Sequence, residues 1–156
     1  MKSFKEYLIE DKEPKKYVDA IIVFNEEILV LRRANYMKQF RSMWGFPGGS
    51  IDKNDKDAKE AIIREIKEET KIELSNNEIN NLKSIDIHEH LGGPNDDIVV
   101  SSTEYFLVHL EKEREIKISR EHSKYEWVNK DNFKDKQGKY VSDVYHYIDL
   151  YYEGQL

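Results

Sequence analysis

The sequence contains no cysteine, which removes disulfides and thiolate metal ligands and leaves nothing that marks an oxidising compartment. A cytoplasmic protein is expected. Long hydrophobic runs are missing as well: Met1–Leu8 lacks the apolar core of a signal peptide, and no other stretch approaches the ~20 residues of a membrane span. No membrane partner is expected. Nor is there a surplus of positive charge, since 25 Lys and Arg stand against 31 Asp and Glu for a formal net charge of -6. Proteins that coat nucleic acid neutralise many phosphates with excess base, so that class of partner is disfavoured. A small anionic substrate is compatible with the charge if a bound cation offsets the repulsion locally. Internal repeats and low-complexity linkers are absent too.

What remains is the balance of a globular domain: 156 residues, 36% charged and 38% hydrophobic, with ten tyrosines and six phenylalanines. Two β-branched, apolar runs, Tyr17–Phe24 and Ile28–Arg32, joined by Asn25-Glu26-Glu27, predict a β-hairpin. Trp44-Gly45-Phe46-Pro47-Gly48-Gly49 reads as a rigid turn with two adjacent residues able to take positive φ. Ala58, Ala61, Ile62 and Ile66 recur at three-to-four spacing and predict a helix from Asp57 to Lys71, capped by Asp55 or Asp57. Ser75-Asn76-Asn77-Glu78 has the form of a capping box. Strands are expected at Ile85–His88 and Val99–Leu110, around a Gly92-Gly93-Pro94 loop carrying Asp96 and Asp97, and shorter ones at Ile116–Ile118 and Trp127–Val128. Val144, Tyr145, Ile148 and Tyr152 fall on one side of a closing helix. Residues 1–16 form an N-terminal extension, in which Phe4, Tyr7 and Leu8 share a helical face, and 17–156 form the domain. Hairpins mixed with separated helices point to an α+β or α/β sandwich whose helices cover a mixed sheet.

The charges of the first long helix depart from what stability alone would select. Glu65, Glu68 and Glu69 stand at i, i+3 and i+4, so their carboxylates are neighbours on one face. Each like-charge pair costs roughly 0.2 to 0.5 kcal/mol, and the dipole at the last turn disfavours Glu68 and Glu69 by about 0.3 to 1 kcal/mol each. A solvated acidic face is one reading. A hard divalent cation, Mg²⁺ or Mn²⁺, resolves the conflict better, because clustered carboxylates are what such an ion takes. Arg64 is either an exposed partner of Glu60 at i−4 or the group that fixes a ligand carboxylate in one rotamer.

Gly48-Gly49 followed by Arg64-Glu65-Ile66-Lys67-Glu68-Glu69-Thr70-Lys71-Ile72 resembles the Nudix box, G-x5-E-x7-R-E-U-x-E-E-x-G-U with U aliphatic. The preceding Trp44-Gly45-Phe46-Pro47 and the later Glu121–Val128 also resemble that family, so the likeness covers nearly the whole chain. Two positions differ from the pattern: the loop is one residue longer, placing Lys56 at the early Glu position between Asp55 and Asp57, and the late Gly is Lys71.

The resemblance implies a MutT-like hydrolase of α/β; Nudix-type α/β/α sandwich architecture, with a mixed β-sheet between helices, acting on a nucleoside diphosphate linked to another group. It implies that Glu65, Glu68, Glu69 and the Gly48 carbonyl bind Mg²⁺ or its substitute Mn²⁺, with Arg64 orienting Glu65 and Glu121 adding a ligand or acting as base. The proton acceptor stays open among Glu65, Glu121 and His122. His122-x-x-Tyr125-x-Trp127 resembles the base motif of the GDP-mannose-hydrolysing branch, so a mannosyl hydrolase is the alternative, and a nucleotide-binding domain without chemistry is another. ADP-ribose, dinucleoside polyphosphates, nucleotide sugars and nucleoside triphosphates all fit the implied substrate class. The stretch before the Gly turn offers Tyr36, Phe40 and Trp44 for base stacking and Arg32, Arg33 and Arg41 for phosphates, although Trp44 could equally be core. His88, His90, Asp96 and Asp97 read as a solvated strand end and loop before a second cation site or a lid. The oligomeric state, a homodimer included, is not legible in the residues.

Overall fold

The computed structural model describes residues 13–156, so the N-terminal helical face at Phe4, Tyr7 and Leu8 lies outside the described residues. Strands β1 (Lys15–Phe24) and β2 (Glu27–Arg33) form the expected hairpin. Asn25 and Glu26 take φ of 49° and 63°, the left-handed pair that matches a two-residue turn to the twist of its strands. β1 reads as an almost continuous apolar run because both of its faces are covered. Val18, Ala20 and Ile22 meet one helix layer, while Ile21 and Val23 belong to the core on the other side.

The other strands are β3 (Trp44–Gly45), β4 (Gly48–Ser50), β5 (Lys83–Gly92), β6 (Ile98–His109) and β7 (His122–Val128). Their order is β3-β2-β1-β6-β5, with β4 on β1 and β7 on β2. Among the paired strands of the described residues β1–β6 is parallel and the others are antiparallel, which makes the sheet mixed. Helix α1 (Ala58–Thr70) packs Ala61, Ile62 and Ile66 on one face, and α3 (Val144–Tyr152) packs Val144, Tyr147 and Ile148 on the other. The result is an α/β/α sandwich. The capping box at Ser75 and Glu78 starts the short α2 (Asn76–Asn80), and an unanticipated 3-10 helix spans Phe133–Lys139. Among the described residues no helix is long and apolar enough to cross a membrane.

Two local expectations are corrected. Ile116–Ile118 is not a strand: Lys117 N–H donates to Thr70 O at 3.0 Å and Ser119 N–H to Glu69 O at 3.2 Å, so the segment satisfies carbonyls left open at the end of α1. Gly48 and Gly49 do not use positive φ. They form β4 against Tyr17–Asp19 of β1, and what they require is the absence of a side chain. Positive φ occurs instead at Lys71 (62°), where α1 ends in the left-handed conformation that a glycine adopts without strain.

Candidate functional site

The acidic face of α1 is turned inward. Asp57 starts the helix by accepting from Glu60 N–H at 2.8 Å, and the apolar face of Ala61, Ile62 and Ile66 fixes its rotation on the sheet. Glu65 and Glu69 are thereby buried at 8% and 5% exposure, while Glu68 remains exposed. Glu69 Oε2 accepts from Gly48 N–H at 3.0 Å. A Cβ on Gly49 would fall 2.5 Å from Glu65 Oε1, and one on Gly48 would fall 2.1 Å from Asp19 Oδ1. The paired glycines therefore let a strand lie directly against the carboxylates.

Crowding sets the electrostatics of this cluster. Burial pushes Glu69 up to about 9; the Gly48 N–H acts in the opposite direction, and the charges of Glu65, Asp19 and Glu121 add to the rise. Burial also raises Glu65, against the pull of Arg64. Asp19 is raised well above the carboxylate range by burial and then by Glu65. An all-oxygen set of mutually repelling carboxylates fits a hard divalent cation, which would supply the missing positive charge.

Arg64 organises the set from behind. Its Nη1 donates to Glu65 Oε1 at 2.9 Å and to Glu68 Oε2 at 3.2 Å, its Nη2 to Ser50 O at 3.0 Å, and its Nε and Nη2 grip Asp55 at 3.1 and 2.9 Å. A planar guanidinium held by a two-point contact fixes the carboxylates on its far side. The surface pairing of Arg64 with Glu60 is not formed. The longer loop leaves Lys56 exposed and places Asp55 against the arginine, which holds the Asp55 carboxyl below its usual range. Lys67 pairs with Glu73, and Lys71 donates to the Glu68 backbone carbonyl, so neither lysine neutralises the carboxylates.

A cavity of about 470 Å³ opens beside the cluster, with Asp19, Gly48, Gly49 and Glu69 in its wall. Of the residues expected to contact a substrate, Arg33 and Phe40 line this cavity, and Arg33 is steadied by an Nε bond to Gln39 O at 2.9 Å. Glu65 and Glu68 stand beside this wall rather than in it. Arg32 instead bonds Ser42 O, and Arg41 and Tyr36 (66% exposed) do not line the cavity. Trp44 belongs to the core, with the Lys136 ammonium 4.9 Å from its ring centre, so it is removed from stacking on a ligand because burial claims its surface. Glu121 is exposed and close enough to act on Glu69. His122 lines the cavity, its Nδ1 buried without a hydrogen-bond partner, and burial with the Arg33 charge lowers its pKa to about 4.

Asp19, Asp55 and Gly49 were not singled out from the sequence as site residues. Asp19 left a usable signal: a carboxylate inside the apolar run Tyr17–Phe24 is costly to bury unless it has a task. Gly49 was visible as part of the glycine pair but its approach to Glu65, 16 positions away, was not, and Asp55 left no signal of comparable weight because its role depends on a contact 9 positions away.

A NUDIX domain family model matches residues 14–149. No curated protein sequence matches the chain. Among solved structures, a bifunctional NMN adenylyltransferase/ADP ribose pyrophosphatase from Francisella tularensis, complexed with AMP and a Mn ion, is similar at 22% identity and a TM-score of 0.76. The match covers 97% of this chain and 45% of that protein, so the chain spans under half of its length. The NUDIX domain of Shewanella oneidensis NrtR, complexed with ADP ribose, aligns over 99% of this chain and 100% of that one at 18% identity and a TM-score of 0.70. A MutT NUDIX hydrolase from Burkholderia pseudomallei aligns over 88% and 98% at 21% identity and a TM-score of 0.68. With the family model spanning the sheet and both helix layers, and the acidic helix packed against the paired glycines, the chain belongs to the NUDIX domain family.

Proposed function

We propose that the protein is a Mg²⁺-dependent pyrophosphohydrolase that cleaves a nucleoside diphosphate linked to a further group. The observation that carries this reading is the burial of Glu65 and Glu69, with Glu69 and Asp19 in the wall of a cavity that Arg33 and Phe40 also line. Glu65, Glu68 and Glu69, with the Gly48 carbonyl and Glu121, are the groups that would hold the ion. Bound there, the cation supplies charge neutralisation for pyrophosphate oxygens and acidifies water for attack on phosphorus.

The chain's own residues supply position and charge. Arg64 keeps Glu65 in one rotamer through its grip on Asp55. Arg33 faces the cavity as the phosphate-binding cation, and Phe40 offers a ring to the base. Glu65 and Glu121 are the groups assigned to receive the proton. His122 ranks below them, because burial beside Arg33 opposes the imidazolium that proton uptake would create. This weighs against the mannosyl-hydrolase alternative. An adenosine diphosphate derivative such as ADP-ribose is the first substrate to test, since two proteins of similar fold carry AMP and ADP ribose. A cytoplasmic location belongs to the same reading.

A panel of nucleotide sugars, dinucleoside polyphosphates, triphosphates and ADP-ribose, assayed with Mg²⁺ and with product identification, tests the proposal. Glu68→Gln/Glu69→Gln should lower kcat/KM on the order of 10³-fold, the equivalent of losing several kcal/mol of cation stabilisation. Unchanged turnover in that variant would discard the metal assignment. Release of free hexose in place of a phosphorylated product would favour the mannosyl reading.

A further inference from the structure

We propose that His88, His90 and Asp143 form a second metal site, selective for an imidazole-seeking divalent ion of the Zn²⁺ class, beside the cavity that His90 lines. One ligand atom from each of the three lies within 4.8 Å of the other two. His88 Nε2 stands 3.6 Å from Asp143 Oδ2, close to the edge of about 3.3 Å that two ligands share around a tetrahedral ion with arms of about 2.0 Å. The remaining gap is closed by rotation of side chains that are all partly exposed.

Three independent features bring these groups together. His88 and His90 pair with Thr103 and Ser101 of β6 in one uninterrupted register, so they project from the same face of β5, and their rings meet edge-on at 4.9 Å. A register shift follows directly between His90 and Leu91, the kind of irregularity that re-aims a side chain. Asp143 arrives from the far end of the chain at the cap position of α3. Aspartate is among the best residues for capping a helix, yet its side chain makes no cap bond there and its φ is 72°. The backbone is held in a left-handed conformation, and the carboxylate faces His88.

The donor set distinguishes this site from the one on α1. Two imidazoles and one carboxylate suit Zn²⁺, Co²⁺ or Ni²⁺, whereas oxygen-only sets suit Mg²⁺ and Mn²⁺. Three protein ligands leave a fourth position for water or a ligand oxygen. His90 and the flanking Ser142 and Val144 line the cavity, so that position adjoins the space a substrate occupies. An ion here would also join the end of β5 to the start of α3.

The test uses the whole 156-residue chain stripped of metal and held in excess Mg²⁺, titrated with Co²⁺ and followed by its visible absorption. The expected result is one tightly bound equivalent with tetrahedral-type bands, displaced by Zn²⁺, and a melting temperature raised by Zn²⁺. His88→Ala/His90→Ala and Asp143→Asn should each lose the equivalent, the bands and the Zn²⁺-dependent rise, with melting in chelator close to the parent protein. Glu68→Gln/Glu69→Gln and the exposed control His109→Ala should retain all three. Persistence of the bound equivalent in the double histidine variant, or its loss in Glu68→Gln/Glu69→Gln, overturns the proposal.

Discussion

Gly49 lies so close to Glu65 that an added Cβ would sit 2.5 Å from the carboxylate oxygen Oε1. The neighbouring Gly48 is tighter still, at 2.2 Å from the Val18 carbonyl, which is backbone and cannot swing away. Gly49→Ala should displace the Glu65 carboxylate and cut kcat about 10²-fold, the scale of an ångström-sized misplacement, with melting little changed. Gly48→Ala should instead destabilise the fold by about 1 to 3 kcal/mol or more by splitting β4 from β1. Kinetics and thermal melts on both variants separate the two effects, and equal effects on both measurements would sink the distinction.

The grip of Asp55 on Arg64 predicts an effect on activity from a residue outside the wall of the cavity. Asp55→Ala frees the guanidinium that holds Glu65 and Glu68, and loss of such a supporting partner costs roughly 10- to 100-fold in activity or metal affinity. Arg64→Lys should do at least as much, since an ammonium cannot make the two-point contact. Titration of Mg²⁺ activation should show a raised requirement for the ion; an unaltered Mg²⁺ response in both variants would remove Arg64 from its orienting role.

Glu69 makes the stability of the metal-free protein depend on pH. Its folded pKa, about 9, lies above the unfolded value of 4.5, so between these limits the native state holds a proton that the unfolded state has released. Stability from this group is then present below 4.5 and declines as pH rises toward 9. In chelator, Glu69→Gln should therefore gain stability over the parent at pH 8 and show little difference at pH 4.5. Mg²⁺ should narrow the gap at pH 8 by stabilising the charged carboxylate. Melts at the two pH values decide this, and a gap independent of pH would contradict it.

His122 is lowered to about 4, so it is neutral from pH 5.5 to 8. Its replacement by Gln should leave the shape of the pH–rate profile unchanged over that range, whatever it does to the absolute rate. Disappearance of an acid limb near pH 6 to 7 in His122→Gln would restore the histidine as the base.

Phe40 borders the cavity and Tyr36 does not, although both are exposed aromatics in one short segment. If Phe40 stacks on the base, Phe40→Ala should raise KM about 10-fold, near the low end of the 1 to 3 kcal/mol typical of a base–aromatic contact. Tyr36→Ala should leave KM unchanged. Equal responses from the two would place the base elsewhere.

Local chemistry was legible wherever it repeats at short range. The hairpin at Asn25-Glu26, the α1 period, the capping box at Ser75 and Glu78, and the crowding of Glu65, Glu68 and Glu69 each depend on residues a few positions apart. Ile116–Ile118 misled because an alternating apolar stretch serves equally well to cover a helix end, and nothing nearby distinguishes the two uses. Trp44 was ambiguous for the same reason: an aromatic residue in a loop looks alike whether it stacks on a ligand or fills a core.

The order of residues alone fixed the helix, its acidic face and the family pattern, because a 3.6-residue repeat and a glycine pair are properties of neighbours in the chain. Tertiary structure decided which carboxylates are buried, that Asp19 joins them, that Asp55 anchors Arg64, and that Asp143 meets two histidines more than fifty residues away. Those outcomes depend on how β1 pairs with β4 and β6 and on where α3 docks. Pairing and docking are set by the fit of whole surfaces, which no short stretch of sequence contains.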